Sequence, residues 1–438
     1  MKSSQLLHSF DQAIGWNAFL YGLYKFLTTL LTLILYAKLN TQDFSIYANV
    51  HSIIFILLLW LDFGFKKSIA RFCPEYAQSD RALRNFILRI LCFKIILLVC
   101  AIPLCQYALN TFIPANLSAN IVYLATGIFV AEGLSSLLQL IYQAHFWHKY
   151  FSLLSSIILT AQTVFTCLAA CSLSQSSTLL SITMYSKIIG GTCMCIASCG
   201  LLVWLYMQQK KKAEEVHLST THLDWLFIKH SGIMWASNNL KSLTERNVII
   251  PVLTHTLGSA HANLFKVAND SALFFYRIIL KTIGSTDTAL LSYAKKHKIG
   301  LEDTLNYLQR KVTFLTGGLF SLFLVLLAVK YHSQIDPAIT QLSAFITICY
   351  LAEILLSPYE RILEVEQKYQ TLFKAYVPYI ILLMPLLHTR VMCSLGLFST
   401  IALIHIARLI SAGLIVYFAK KEYYRTYDLK EVSAKNVG

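Results

Sequence analysis

Apolar runs of about twenty residues recur along the whole chain, separated by short polar stretches that hold most of the Lys and Arg. As a helix, such a run rises about 1.5 Å per residue and crosses roughly 30 Å of hydrocarbon. Lipid offers no partners to backbone N–H and C=O groups, so each run must close its own hydrogen bonds as a helix. The short alternating segments of a membrane barrel are not seen. The pattern predicts an all-α integral membrane fold of about twelve spans. In the first half they lie over 14–37, 44–65, 86–109, 116–143, 152–172 and 178–207. In the second half they lie over 227–254, 262–284, 312–330, 337–357, 372–388 and 392–419.

Composition agrees. Of 438 residues, 56% are hydrophobic and 13% charged, too few charges to coat a soluble protein of this length. The net charge of +15 would suggest nucleic acid in a soluble chain, but here its distribution explains it and no nucleic acid is expected. Twelve spans put alternate loops on opposite sides. One set, from Lys2 to Lys435, collects twenty-three Lys and Arg, and the other holds only Lys38, Lys330 and Arg390. Basic loops stay in the cytoplasm, which places both termini there. Residues 1–13 carry Lys2, His8 and Asp11 and do not read as a signal peptide. The outer loops are too short to fold as domains. Cysteine tags at Ser176 and His332 should therefore react from outside the cell, and tags at Gln209 and His297 only from inside. Labelling of Gln209 in intact cells would overturn this topology.

Most of the eleven cysteines fall within spans (Cys92, Cys100, Cys105, Cys167, Cys193, Cys195, Cys199, Cys349). Cys193, Cys195 and Cys199 lack zinc-ligand spacing, so no metal site is expected and these residues read as small buried hydrophobes. No G-x-x-x-x-G-K-[ST] motif occurs, so no nucleotide or other cofactor is expected, and transport would draw on an ion gradient or the membrane potential.

The hydrophilic stretch 208–222, with Lys210, Lys211, Lys212, Glu214 and Glu215, lies at the midpoint. It divides the chain into a six-helix lobe 1–207, a cytoplasmic linker 208–222, a second six-helix lobe 223–419 and a basic tail 420–438. A shift of 218 residues lays 39–47 on 257–265, as expected of a duplicated unit. Parallel repeats of this kind flank a central cavity in many transporters.

Short motifs then bring a family into view. Asp43-Phe44-Ser45-Ile46-Tyr47 is similar to an acidic-aromatic-Gly-x-Tyr step between helices one and two, with Ser45 in place of the glycine. Leu61-Asp62-Phe63-Gly64, followed by Ala70-Arg71-Phe72, matches the end of helix two. Leu257-Gly258 with Phe265 and Ala268 matches the step before helix eight, with Ala262 in place of its second glycine. In these the chain resembles the polysaccharide flippases of the multidrug/oligosaccharidyl-lipid/polysaccharide exporter superfamily. The resemblance implies a bacterial inner-membrane transporter and a lipid-linked saccharide as partner. It does not imply an enzyme, and no catalytic residue is assigned. Asp62-Phe63-Gly64-Phe65-Lys66-Lys67 is a misspaced match to the major-facilitator loop signature, which keeps that fold as an alternative.

Charges inside the spans carry the candidate chemistry, because an ion within a bilayer is costly unless it faces protein or water. Eleven of the 37 basic residues fall there, against four acids well within spans, Glu132, Glu245, Asp270 and Glu353. Arg89, Lys94, Lys229 and Glu353 lie toward cytoplasmic ends, where their stems are expected to reach the interface. On helix eight, Asn263, Lys266, Asp270, Arg277 and Lys281 fall within an arc of about 60°. Lys266 and Asp270 stand i,i+4 and are able to neutralise each other. Helix seven aligns Asn238, Lys241 and Glu245, with Arg246 beside them. Helix one aligns Tyr21, Lys25, Thr29, Thr32 and Tyr36, and helix four Glu132, Ser136, Gln139 and Gln143. A positive interior fits an anionic cargo, whose diphosphate Lys25, Lys241, Arg246, Lys266, Arg277 and Lys281 are expected to bind. Glu132 and Asp270 are the candidates for a coupling H+ or Na+. The expected mechanism is alternating access between two lobes, with the cargo's polyprenyl tail in membrane lipid. Three alternatives stand: a multidrug antiporter, a membrane enzyme acting on lipid-linked sugars, and charges that only pair across helices.

Overall fold

A computed structural model describes residues 22–76, 79–113, 117–144, 147–208, 221–242, 246–284, 301–331, 337–365, 368–386 and 389–435. The protein is a multi-pass, all-α integral membrane protein. Its helices are α1 (22–38), α2 (Thr41–Leu61), α3 (Phe65–Tyr76), α4 (Asp80–Phe112), α5 (Ala119–Ala144), α6 (His148–Ser172) and α7 (Ser176–Gln208). They continue as α8 (Thr221–Ser242), α9 (Arg246–Thr256), α10 (Ser259–Gly284), α11 (Leu301–Tyr331), α12 (Pro337–Val365), α13 (Tyr369–Leu386) and α14 (Thr389–Lys435). Among the described residues, seven helices are long and apolar enough by themselves to cross a membrane, those in α2, α4, α5, α6, α7, α12 and α14. The described residues of the other expected spans are also helical, but the expected span 227–254 is divided between two helices, α8 and α9, with 243–245 outside the described residues. The most hydrophilic part of the linker, 209–220, lies outside the described residues.

Large apolar side chains cover the outside of these helices, among them Ile96, Tyr107, Leu168, Ile196 and Ile381. That surface suits lipid and would be an aggregation hazard in water. The span cysteines partly depart from expectation. Cys105 and Cys349 are buried, but Cys92, Cys100, Cys193 and Cys199 are exposed on the helix surface. Lipid tolerates a small thiol as readily as a protein interior does.

The helix α3 falls where the sequence reading leaves a loop. Its residues Ile69, Phe72, Cys73 and Tyr76 sit at helical spacing and are buried with Leu83, Phe86, Ile87, Ile90, Leu140 and Phe227. Tyr76 stacks on Phe86 at 4.0 Å between centroids, and its hydroxyl donates to Asp224 of α8 at 2.6 Å.

The described chain packs as two compact units, Leu30–Asn263 and a second made of Met1–Thr29 with Leu264–Gly438. These bounds differ from the sequence halves because α8 packs on α3, and α9 on α2. In the first unit α2 and α9 are tied by Asn49 Nδ2, which donates to Thr254 Oγ1 at 3.1 Å. The step into α2 is held by Asn40, whose side chain caps Asp43 N at 2.7 Å, while Ser176 Oγ of α7 donates to Asp43 Oδ2. The motif at 43–47 thus lies within the first turns of α2 and not between helices. Asp62 ends α2, and Phe63 and Gly64 turn the chain with positive φ (48° and 69°). Gly258, with φ 88°, makes the step between α9 and α10. In the second unit α11 and α12 share a core of Leu308, Val312, Leu351, Ile354 and Ile362. A second core joins α12, α13 and α14 through Leu363, Leu372, Ala375, Tyr376, Ile415 and Ala419. The last helix kinks at Gly396 (φ 73°) and runs on through the tail to Lys435.

Candidate functional site

Helix α10 carries the sequence-derived stripe, and the structure divides it. Lys266 Nζ lies 3.2 Å from Asp270 Oδ2, and both side chains are buried. The i,i+4 neutralisation is therefore realised. Arg277 and Lys281 fall on the same helix, and Lys241 and Arg246 on α8 and α9, but the side chains of these four lie outside the described structure. Glu245 lies outside the described residues. Lys25 sits on α1, half-buried, with Nζ 5.0 Å from the centroid of Tyr24. Glu132 sits half-buried on α5, within electrostatic reach of Lys187 on α7.

A polar centre that the sequence reading did not assemble lies in the second unit. Arg408 of α14 pairs with Glu353 of α12 through Nη2 at 2.7 and 2.9 Å from the two carboxylate oxygens. The Tyr276 hydroxyl of α10 donates to Glu353 Oε1 at 3.2 Å. The Tyr350 hydroxyl donates to Asn269 Oδ1 at 2.9 Å, and the Arg408 guanidinium lies 5.1 Å from the Tyr350 ring. His405 meets the same ring edge-on at 5.1 Å. Three helices each present two of these residues one or two turns apart: Asn269 and Tyr276, Tyr350 and Glu353, His405 and Arg408. That spacing keeps each pair on one helix face. Glu353 thus does not reach for the interface as expected; it is held inside by a guanidinium from another helix. A carboxylate so engaged is a charge-neutral structural node and not a bare counter-ion.

Lys94 also departs from expectation. Its ammonium is buried and lies 2.9 Å from Asp62 Oδ1 at the end of α2. Arg89 does reach outward, where it pairs with Asp224 at 2.9 Å, and Lys229 is exposed. Beside Asp62, Phe63 stacks on Trp235 of α8 at 5.7 Å, and Trp235 Nε1 donates to Trp60 O at 2.9 Å. The family-like turn at 61–64 is therefore a docking corner for α8.

With this geometry in view, solved structures supply the fold class. A crystal structure of MATE in the bent conformation superposes with a TM-score of 0.65 at 12% identity, covering 99% of each chain. The inward-facing conformation of a multidrug resistance MATE family transporter of the MOP superfamily gives 0.62 at 15% identity, over 93% of this chain and 96% of that one. A MOP superfamily transporter from Pyrococcus furiosus, described as having a binding pocket of reverse polarity that suggests a different function, gives 0.64 at 13% identity, over 96% and 98%. No family model matches the sequence, and no curated protein matches it. The chain has the fold of the MATE transporters of the MOP superfamily.

Proposed function

We propose that this chain is an alternating-access transporter of that superfamily that moves an anionic, polyprenyl-diphosphate-linked oligosaccharide across the bacterial cytoplasmic membrane, driven by an ion gradient or the membrane potential. In this reading two six-helix lobes, 1–207 and 223–419, are joined by a cytoplasmic linker, and both termini are cytoplasmic. The observation that carries it concerns the acids. Among the described residues, Asp270 is paired with Lys266 and Glu353 with Arg408, and Glu132 lies within electrostatic reach of Lys187. A cationic drug needs a carboxylate that is not already engaged, whereas Lys and Arg in excess suit a diphosphate. The excess itself is plain, with eleven basic residues within the expected spans. A second reading, multidrug antiport, draws support from the multidrug relative among the similar structures.

Lys25→Gln and Arg277→Gln test the anionic cargo, since each residue lies deep in its expected span. Each should weaken binding of a polyprenyl-diphosphate sugar about ten- to a hundredfold, the equivalent of about 1.5–3 kcal/mol for a charge-assisted hydrogen bond. Lys25→Arg should retain more binding than Lys25→Gln. Uptake of a lipophilic cation such as ethidium by proteoliposomes, with unaltered sugar-lipid binding in both Gln variants, would transfer the assignment to the antiporter.

A further inference from the structure

Two titratable side chains, Lys187 and His51, meet inside the Leu30–Asn263 unit, and neither is among the cations assigned to the cargo above. Lys187 Nζ of α7 is 3.3 Å from His51 Nδ1 of α2 and 5.8 Å from the ring centroid of Tyr47. The Tyr47 and His51 rings meet edge to face at 4.8 Å. Glu132 of α5 completes the group electrostatically.

Backbone packing brings them together. A Cβ at Gly191 would lie 2.8 Å from Ala131 Cβ, and one at Gly127 would lie 2.9 Å from the Ile188 side chain. The α5–α7 crossing therefore depends on glycine, as close helix contacts in membranes do. Lys187 is one turn before Gly191, and Glu132 follows Ala131, so this crossing places the two residues on facing helices at about the same level. The three helices all start on the outer side in the expected topology. Counted from those starts at about 1.5 Å per residue, His51, Lys187 and Glu132 lie at depths of about 15–20 Å. All three are half-buried.

The chemistry of the contact restricts its charge states. A lysine ammonium has donors only, so it hydrogen-bonds Nδ1 when the imidazole is neutral and carries its proton on Nε2. With Glu132 ionised the group then sums to zero. One added proton, on the Glu132 carboxylate or on His51 Nδ1, takes it to plus one, and the second position sacrifices the Lys187 contact. Like charges in such proximity titrate as a unit. Among the described side chains, the other charges on helices packed against α2 lie elsewhere. Lys94 is tied to Asp62; Asp224, Lys229 and His230 are near the cytoplasmic end of α8; Asp43 and His255 are at the opposite ends of α2 and α9.

We propose that His51, Lys187 and Glu132 form one proton-binding site within this unit, holding a single exchangeable proton. Its part in coupling rests on the transport reading above, but its titration does not. The test is histidine NMR on the full chain in lipid nanodiscs, with the His51 signals assigned by difference from His51→Gln. At pH 7.5 His51 should show the neutral, Nε2-protonated form. Lys187→Gln should make His51 easier to protonate and Glu132→Gln harder, each by about one pH unit or more. Lys187→Arg, which keeps the charge, should restore the wild-type midpoint. A His51 midpoint unmoved by both Gln variants would overturn the site whatever transport does. Should Lys187→Gln fail to fold, Glu132→Gln decides alone. Coupled titration with full gradient-driven transport in Glu132→Gln would uphold the site and overturn the coupling role given to Glu132.

Discussion

Arg408→Met is expected to destabilise the protein by about 3–5 kcal/mol, the range found when one partner of a buried ion pair is removed. The side chains of Arg408 and Glu353 are only 10% and 17% exposed, so water does little to screen what remains. The loss leaves Glu353 with the Tyr276 hydroxyl, which is one neutral donor for a full charge. It also removes the cation from the face of Tyr350. Replacing both partners, as Arg408→Met with Glu353→Met, should recover most of the stability, because a well-packed apolar pair avoids the desolvation cost. Unfolding of the purified protein measures both variants. If Arg408→Met unfolds like the wild type, the pair is hydrated and the node is not structural. If the double variant stays stable but loses transport, the node belongs to the working cycle.

Gly64→Ala should be nearly as costly, for a different reason. The added Cβ would lie 2.4 Å from Ser231 O and 2.8 Å from Trp235 N, both backbone atoms of α8 that cannot turn aside. To that clash is added the strain of an alanine at φ 69°. Left-handed backbone costs about 1–2 kcal/mol and overpacking about 1–3 kcal/mol, so a total of about 2–5 kcal/mol is expected. Gly258→Ala is the control. Its φ of 88° imposes the same kind of strain, but a Cβ there meets nothing within 4 Å. The difference in unfolding free energy between the two variants therefore isolates the docking of α8 on the 61–64 turn. Equal losses would mean that this docking contributes nothing.

The legibility of the site follows sequence distance. Lys266 and Asp270 are one turn apart, and their pairing is visible in the bare sequence because a helix brings i and i+4 together. Lys94 and Asp62 are 32 residues apart and Glu353 and Arg408 are 55 apart, so in the sequence Lys94 and Glu353 look like residues near a helix end that are free to reach the interface. Lys187 and His51 are separated by 136 residues, and nothing local marks them as partners. A weaker signal was present: His405 with Arg408 and Tyr350 with Glu353, each at i,i+3 within apolar runs, show which faces turn inward. The helix α3 was legible too, since Ile69, Phe72, Cys73 and Tyr76 have helical spacing.

The sequence by itself determined the helices and the class of fold. In lipid every backbone group must be satisfied within its own segment, so an apolar run of sufficient length has one solution. It also placed a step between helices at Gly258, where positive φ is open to glycine at little cost, but it ran the second span on through Gly64, where the chain in fact turns. Only the tertiary structure decided which charges meet. An ion pair forms over about 3–4 Å, and whether two side chains come that close depends on the rotation and neighbours of their helices. Close packing sets that rotation, through contacts such as Gly191 on Ala131 and Gly64 on Ser231, and hydropathy along one strand of sequence does not encode it.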